Sequence, residues 1–284
     1  MPTLVAVLIA GAVTVALLMT ATALVAKRVG RLAVVDVVWG AGFVLVAVVG
    51  AVVATLVEGE VDGSVVARRW LLVALVAVWG GRLAWHIRKR AEGLLGPGET
   101  PPEDPRYAEL MEGKTFSYAV TRVFLTQGVA MLLVSTPVLV GLSVAPAGSE
   151  DGAGGWGWWV VAIGVVVWVV GLVFEAVGDA QLASYKEIPK PERPTVLDTG
   201  LWRFTRHPNY FGDATLWWGL WLVGGLASGW VAGLATVLAP VAMTYFLAFA
   251  TGARLLEREM MKRDGYPEYA ERTSMFVPLP PKKG

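Results

Sequence analysis

The sequence predicts an all-α, polytopic membrane protein in which about seven transmembrane helices form one bundle. Hydrophobic residues make up 55% of the 284-residue chain and charged residues 17%, whereas soluble domains carry roughly 25% charged residues. Mean hydropathy is positive, at +0.58. Apolar runs recur along the chain, and each approaches the ~20 residues that a helix needs to cross a bilayer. We therefore expect a single membrane domain, residues 1–284.

The predicted spans follow one another with short polar connections. The first run has no charged segment before it and no small-residue cleavage site, so we expect a retained transmembrane helix rather than a cleaved signal. The sixth and seventh runs are separated by Ser228 and Gly229, which predicts a tight helical hairpin. The predicted spans cover residues 4–26, 33–57, 70–86, 121–145, 156–178, 211–228 and 230–252.

The basic residues are sorted by connection. Nearly all Lys and Arg fall in the first, third and fifth connections and in the C-terminal tail, whereas the second connection carries Arg68 and Arg69. The positive-inside rule then places the N-terminus outside and the C-terminus in the cytoplasm. We expect a multi-pass protein of the inner (cytoplasmic) membrane, and an odd number of spans agrees with that orientation.

Composition excludes several classes of function. A formal net charge of +1 argues against a nucleic-acid partner, because phosphate binding needs a basic surplus. Cysteine is absent, which rules out disulfides, thiolate chemistry and Cys-based zinc sites. With His86 and His207 as the two histidines, a site built from histidines is implausible as well. We expect neither a nucleic acid nor a metal ion.

Residues 198–219, DTGLWRFTRHPNYFGDATLWWG, are unusually polar for this chain. Such polar density beside an apolar span is costly to bury, which favours a functional site. Arg203 and Arg206 are spaced i, i+3, and guanidinium groups bind phosphate bidentately. Together with His207 they are candidates for a pyrophosphate clamp. The alternative is a basic juxtamembrane segment that touches lipid head groups, but the density of polar and Trp residues favours the site.

The start of the sixth predicted span adds candidate ligand contacts. Asn209 and Asp213 are spaced i, i+4 and therefore share a helix face, where they could hold amide or ribose hydroxyl groups. Tyr210 is a candidate proton donor or hydrogen-bond partner. We interpret this stretch as the anion-binding and catalytic edge of a membrane enzyme.

Acidic residues also occur at the end of the fifth predicted span. Glu175 and Asp179 are spaced i, i+4, and Lys186 follows near the membrane boundary. Acidic groups at such a position need partners or water. Two interpretations stay open at this point: the pair holds the bundle together through arginines, or it lines a polar cavity that opens to the cytosol.

Asp36 lies among valines in VVDVVWG, early in the second predicted span, and is a candidate proton donor. The alternative of equal weight is that it pairs with Arg31, Arg82 or His86. In the tail, alternating charges that include Arg254 and Glu257 are typical of a solvated, salt-bridged helix face. The tail aromatic residues suggest that it folds back, where it could close the pocket.

Five motifs, in chain order, carry a resemblance to a known family. They are DVVWG, WGGRLAWH, FEAVGDAQLASYK, LDTGLWRFTRHPNYFGDATLWWG and GYPEYAERTSMFVPLPP. Over almost the whole chain these motifs resemble the steroid 5-alpha-reductase superfamily (3-oxo-5-alpha-steroid 4-dehydrogenase C-terminal-like), in particular its bacterial membrane branch. The resemblance implies a seven-helix membrane fold with NADPH in a cavity formed by the C-terminal helices. It also implies reduction of a carbon–carbon double bond conjugated to a ketone in a hydrophobic lipid substrate.

Position by position, the resemblance implies a set of cofactor contacts and divides the chain into a substrate side, residues 1–120, and a cofactor side, residues 121–284. Steroid reductases use a Gln-Glu pair and a tyrosine to protonate the substrate carbonyl, and this sequence has no Gln-Glu pair. Asp36, Tyr118 or Tyr210 is the expected acid. The implied cofactor contacts are Glu175, Asp179, Lys186, Arg206, His207, Asn209, Tyr210, Asp213, Arg254 and Glu257.

Two alternatives stay open. The Arg-His-Pro run also occurs in membrane methyltransferases of the isoprenylcysteine type, which bind S-adenosylmethionine. That ligand has no pyrophosphate, so the acidic pair and the additional basic groups match it less well. The second alternative is a non-enzymatic lipid-binding membrane protein, which predicts no cofactor at all.

Overall fold

A computed structural model describes residues 1–59, 61–92, 102–148, 155–250 and 252–282. Every regular element within these ranges is helical, and the extended backbone contributes one isolated bridge, between Thr205 and Ser274. The predicted all-α class is confirmed. The α-helices are α1 (Pro2–Val29), α2 (Val34–Glu58), α3 (Gly63–Glu92), α4 (Pro105–Met111), α5 (Phe116–Ala119), α6 (Thr126–Ser143), α7 (Trp156–Glu187), α8 (Pro208–Gly224), α9 (Trp230–Thr236), α10 (Leu238–Tyr245), α11 (Ala253–Met260) and α12 (Tyr266–Arg272).

Six helical segments in the described ranges are long and apolar enough to cross a membrane, which confirms a multi-pass membrane protein. The fourth of them joins α5 to α6 through a π-helical turn, Val120–Leu125, and the sixth runs from α9 to α11. The segments are Pro2–Val29, Val34–Glu58, Gly63–Lys89, Phe116–Ser143, Trp156–Glu187 and Trp230–Met260.

The remaining predicted span, residues 211–228, is the short helix α8. Its 17 residues cover about 25 Å, less than the ~30 Å of a hydrocarbon core. The chain continues as a 3-10 turn, Leu226–Ser228, and the ideal Cβ position of Gly157 lies 2.6 Å from the Ala227 carbonyl oxygen. At the other end, the ideal Cβ position of Gly178 lies 3.0 Å from the Asn209 nitrogen. The short helix and its turn therefore run antiparallel to α7 across about 31 Å.

Glycines spaced by seven residues bring α7 and α8 into backbone contact. A Cβ added at Gly212 would lie 2.4 Å from the Glu175 nitrogen, and one at Gly219 would lie 2.6 Å from the Trp168 nitrogen. Small residues allow helix backbones to approach this closely in a membrane. The contact places the Glu175 turn of α7 directly beside Asp213 on α8. The α7 glycines are Gly157, Gly164, Gly171 and Gly178.

The position of Arg68 and Arg69 before the predicted span 70–86 suggested that they are exposed loop residues, but the structure places both in a helix. Helix α3 begins at Gly63, and both side chains are completely buried. Arg68 donates to the Gly141 carbonyl oxygen (2.8 Å) and Arg69 to that of Leu142 (2.9 Å). A cation is favourable at a helix C-terminus because it faces the last carbonyl groups. The two arginines therefore cap α6.

The C-terminal tail folds back, as the sequence suggested. The Arg206 N–H donates to the Ser274 carbonyl oxygen (2.9 Å), and the Leu279 N–H donates to that of Phe204 (3.0 Å). The Tyr269 hydroxyl donates to the Trp202 carbonyl oxygen. These bonds fix the tail against the segment that leads into α8.

Two of the predicted connections lie partly outside the described residues. The third connection, a proline-rich loop, has residues 93–101 outside them, and the Gly-rich fourth connection has residues 149–154 outside them. The described part of the proline-rich loop forms α4, which lies over the start of α2. There the Glu103 carboxylate accepts from the Ala33 N–H (3.0 Å) and from that of Leu32. The loop is therefore attached to the bundle at the N-terminus of α2.

Candidate functional site

A cavity of about 360 Å³ lies between the two halves of the bundle, at the end where α7 finishes. Its volume falls within the roughly 300–1,000 Å³ that is usual for small-molecule sites. Its lining comes from helices α2, α3, α4, α6, α7, α8 and α10 and from the π-helical turn Phe246–Ala250 that follows α10. The described lining residues are Asp36, Trp39, Leu83, His86, Ile87, Arg106, Tyr107, Gln127, Glu175, Asp179, Asn209, Tyr210, Asp213, Met243, Phe246, Leu247 and Gly252.

Arg82 on α3 joins the two acidic residues predicted on α7. Its guanidinium donates to Glu175 Oε1 and to Asp179 Oδ2, each at 2.6 Å. Because Glu175 and Asp179 stand one turn apart, a single planar guanidinium can reach both carboxylates. The pair therefore binds an arginine across the bundle and also lines the cavity, while the opening of that cavity to the cytosol stays a prediction.

Asn209 extends this wall from the first turn of α8. Its Nδ2 donates to Asp179 Oδ1 (3.0 Å), while its Oδ1 accepts from the Tyr210 N–H (3.1 Å). Pro208 stands at the first helical position, where its fixed φ favours the start of a helix. His86 Nδ1 lies 3.8 Å from Asp179 Oδ2. The predicted pair Asp179 and Asn209 is thus a connected unit in the cavity wall.

Two carboxylate oxygens in this wall have no hydrogen-bond partner among the described residues. They are Oε2 of Glu175, which is 4% exposed, and Oδ1 of Asp213, which is 7% exposed. The indole N–H of Trp79 lies beside Asp213 without reaching hydrogen-bond geometry. Buried polar atoms are nearly always paired. The wall is therefore prepared to accept hydrogen bonds from a donor that enters the cavity.

The opposite wall is built around Asp36. The Tyr107 hydroxyl donates to Asp36 Oδ1 (2.7 Å), and Arg106 donates to Asp36 Oδ2 (3.1 Å). Gln127 Nε2 in turn donates to the Tyr107 oxygen (3.0 Å). The partners of Asp36 shown here therefore come from α4. The sequence had suggested Arg31, Arg82 or His86 instead.

Tyr107 is a protonated phenol under ordinary conditions. Burial raises the pKa of its hydroxyl far above 10, and the neighbouring Asp36 carboxylate raises this pKa further, since a phenolate would repel it. The hydroxyl thus stays a donor across the physiological pH range. Tyr107 lines the cavity from α4 and packs in the hydrophobic core of the protein.

Apolar side chains make up part of the cavity lining. They are Trp39, Leu83, Met243, Phe246 and Leu247. Behind this surface the rings of Phe43, Trp79 and Trp217 pack together with centroids 4.9–5.6 Å apart, a geometry favoured by aromatic quadrupoles. The cavity therefore also offers surface that suits an apolar ligand group.

Arg206, His207 and Glu257 are brought together, but not in the cavity lining. Arg206 Nε and Nη2 donate to the two Glu257 oxygens (3.0 and 2.8 Å), and its Nη1 donates to the Ala270 carbonyl oxygen (2.8 Å). His207 Nε2 lies 2.8 Å from Glu257 Oε1, to which the Tyr266 hydroxyl also donates. These residues join the start of α8 to the tail. Their expected contacts to a cofactor stay predictions.

Other predicted residues lie apart from the cavity lining. Lys186 and Arg254 are exposed, and the Tyr118 ring lies 5.8 Å from both Lys114 and Arg122. Tyr210 does line the cavity, stacked on the His207 ring at 5.6 Å. Within the described residues no group of three or more His, Asp and Glu side chains is arranged to hold a metal ion, and a metal-free protein stays a prediction.

Four polar residues of the site were not predicted to belong to it: Arg82, Arg106, Tyr107 and Gln127. Of these, Arg82 was considered only as a partner of Asp36. A signal existed for Arg82, which precedes His86 by four residues and therefore shares its helix face. No periodicity marks Arg106 or Tyr107, because α4 is a seven-residue helix within a loop.

The fold and the cavity define a polytopic, all-α membrane protein with a cavity lined by polar and apolar residues. Residues 22–273 match the family described as "Protein of unknown function (DUF1295)", and the chain belongs to this family. It is also similar to "Uncharacterized protein C594.04c" of Schizosaccharomyces pombe, with 24% identity over 189 residues. The match covers 58% of this chain and 51% of the relative, so the chain spans about half the length of that curated protein. No solved structure matches the chain.

Proposed function

We propose that this protein is a membrane-embedded, NADPH-dependent reductase of a carbon–carbon double bond in a hydrophobic enone or steroid-like lipid. One observation carries the proposal: the same cavity is lined by unpaired acceptors on α7 and α8, by a protonated phenol that is bound to Asp36, and by apolar side chains. The resemblance of the motifs to the steroid 5-alpha-reductase superfamily supports the same function. Cavities of this kind are the usual location of an active site.

The residues of the α7–α8 wall fit a pyridine nucleotide. The unpaired oxygens of Glu175 and Asp213 can accept from a carboxamide or from ribose hydroxyls, and the Asn209 amide already orders Asp179 beside them. Lys186 and Arg254 are exposed beyond this wall and are the proposed phosphate contacts, since Arg206 has its donors bound within the protein. NADPH, when bound, supplies the hydride.

The α4 wall supplies the proton-donor side of the proposed reaction. Tyr107 takes this role instead of Tyr118, because its hydroxyl lines the cavity and is oriented by Asp36 and Gln127. The single hydroxyl proton of Tyr107 is donated to Asp36 in this structure, so Tyr107 donates to a substrate carbonyl oxygen when that oxygen replaces Asp36 as the acceptor. Together with the Arg106 guanidinium, this bond stabilises the negative charge that develops on the carbonyl oxygen. Asp36 holds the phenol in position, and the apolar residues of the cavity keep water from the reacting carbon atoms.

The test is a thermal-shift titration of the detergent-purified protein with NADPH, NADH and S-adenosylmethionine. A ligand that binds the folded state alone stabilises it by about 2.7 kcal/mol at a concentration of 100 Kd. We expect NADPH to raise the melting temperature of the native protein. Asp179→Ala and Asn209→Ala should fold but lose this shift, while the control Lys262→Ala, in an exposed ion pair with Glu259, should keep it. Unchanged NADPH affinity in both cavity variants contradicts the proposal.

One observation favours a second candidate. Carboxylates outnumber cationic groups in the cavity lining, which suits a positively charged ligand such as the sulfonium of S-adenosylmethionine. A shift with S-adenosylmethionine and none with NADPH assigns the protein to the membrane methyltransferases. A shift with none of the three ligands supports a non-enzymatic lipid-binding protein.

A further inference from the structure

The chain beyond α12 forms an extended segment, residues 274–279, which we name the C-terminal strap. It is held along the segment before α8 by the hydrogen bonds Arg206 N–H to Ser274 O and Leu279 N–H to Phe204 O. Three apolar side chains of the paired segments remain exposed: Phe204 by 41%, Val277 by 53% and Leu279 by 54%. A strap fixed by its backbone therefore presents a small apolar edge away from the protein.

Aromatic contacts place the strap at the depth of the membrane-spanning helices. The ring of Phe276 lies 6.1 Å from that of Phe211, which lies 5.4 Å from the ring of Phe174 on α7. On the same turns of α7, Val173 and Val177 are exposed, as expected of a helix that faces lipid. The strap therefore lies beside the last lipid-facing turns of α7 rather than far out in the aqueous phase.

Basic residues flank this apolar edge. Arg203 directly precedes Phe204, and Lys282 follows the strap; both are exposed. Lys282 is tied in place through its N–H, which donates to the Arg272 carbonyl oxygen (2.9 Å). Apolar side chains bordered by exposed cations are the arrangement that binds the boundary between acyl chains and anionic head groups.

We propose that the C-terminal strap is seated in the lipid interface at the Glu187 end of the bundle. Phe204, Val277 and Leu279 insert at the acyl-chain boundary, and Arg203 and Lys282 contact anionic lipid head groups. The strap holds the backbone of residues 204–206, which leads through His207 to the cavity wall. The lipid leaflet thus becomes part of the support of that wall. This inference does not depend on the proposed enzymatic function.

The absence of cysteine allows a direct test by site-directed spin labelling. The single variants Val277→Cys and Leu279→Cys carry a nitroxide in the full-length protein, reconstituted in nanodiscs of phosphatidylcholine with phosphatidylglycerol. Glu268→Cys and Glu271→Cys, at exposed positions of α12, are the controls. At 277 and 279 we expect collisions with oxygen, which partitions into lipid, to exceed those with a water-soluble nickel chelate. At 268 and 271 we expect the reverse.

Two outcomes overturn the proposal. Equal nickel accessibility at all four positions places the strap in water. Exclusion of both reagents at 277 and 279 indicates a covering protein, such as a second copy of the chain. A further arm uses Arg203→Gln with Lys282→Gln in the Leu279→Cys background. Raising the phosphatidylglycerol fraction should increase oxygen accessibility when both cations are present and leave it unchanged in this variant, and an equal response contradicts the contact with anionic lipid.

Discussion

Two buried ion clusters lie near the start of α8, and they differ in how completely their polar atoms are paired. In the closed cluster, both carboxylate oxygens of the glutamate accept from the arginine. The further hydrogen bonds of the two side chains are made to other groups of the same chain. In the open cluster, carboxylate oxygens face the cavity without partners. The closed cluster is Arg206, His207, Glu257 and Tyr266; the open cluster is Arg82, Glu175, Asp179, Asn209 and Asp213.

The difference separates stability from function. Removing one member of a fully paired buried ion pair leaves the other charge buried without its ionic partner, so the folded state loses stability. An unpaired buried carboxylate already destabilises the folded state, and it is tolerated where a ligand supplies the missing donor. The charged residues of the Arg-His-Pro motif thus hold the tail, while the residues that follow it, Asn209 and Asp213, face the ligand.

The largest effect is expected from Arg206→Met in the closed cluster. Glu257 then keeps a buried charge without its bidentate partner, and removal of one member of such a pair costs about 3–5 kcal/mol. The free energy of unfolding, measured by SDS titration in mixed micelles, reports this loss. Lys262→Met is the matched control, because Lys262 and its partner Glu259 are both exposed, and it should change stability by no more than about 0.5 kcal/mol.

A double substitution sharpens this prediction. Arg206→Met combined with Glu257→Leu removes both charges and should be more stable than Arg206→Met alone, because no unpaired buried charge remains. Equal or greater loss in the double variant would show that packing, rather than charge pairing, holds the tail to α8.

A smaller effect is expected from Gly212→Ala beneath the open cluster. The new Cβ meets the backbone of Glu175 at 2.4 Å, and backbone cannot move aside as a side chain can, so we expect a loss of about 1–3 kcal/mol. Gly81→Ala on α3 is the control, since nothing lies within 4 Å of its added Cβ. An alanine there should be neutral or stabilise the helix by up to about 1 kcal/mol. Equal effects on stability at both positions would contradict the close contact of the α7 and α8 backbones.

The smallest change in stability, and one of opposite sign, is expected from Asp213→Asn. An amide of the same shape removes a buried charge with an unpaired oxygen, which should stabilise the fold by about 1 kcal/mol. The same variant should bind NADPH more weakly, because a carboxylate acceptor is lost. Thermal melts with and without NADPH measure both effects. Asp198→Asn is the control, because the Asp198 carboxylate pairs with Arg272 at an exposed position. A loss of stability in Asp213→Asn, with NADPH binding intact, would contradict the assignment of Asp213 to an open cluster.

Much of the fold followed from the sequence, because helices that cross lipid must be long, apolar and internally hydrogen-bonded. The exception in length is α8, whose apolar run ends in the turn at Gly225 and Leu226. Helix α3 begins earlier than its apolar run, because Arg68 and Arg69 can be buried in the bundle. Their partners are carbonyl groups of α6, which come near only when the bundle folds.

The candidate site was partly predictable for a different reason. Glu175, Asp179, Asn209 and Asp213 were identified because polar residues within apolar spans stand out and helical spacing aligns them. Tyr107 was not, because its position depends on a contact between α4 and α2 that joins residues about 70 positions apart. The closed cluster shows that a sequence motif can also mislead. Arg206 and His207 resemble a phosphate clamp in the sequence, but in the structure they bind groups of their own chain.

The seven-residue spacing of the α7 glycines also determines which part of the cavity can move. A repeat of seven corresponds to 3.5 residues per turn, so the glycine seam stays on one side of α7 over several turns as the helices coil around each other. Backbone contacts along the whole seam make α7 and α8 one rigid unit. The α7–α8 side of the cavity is therefore expected to keep its shape when a ligand binds, so that any adjustment to the ligand falls on the other lining helices.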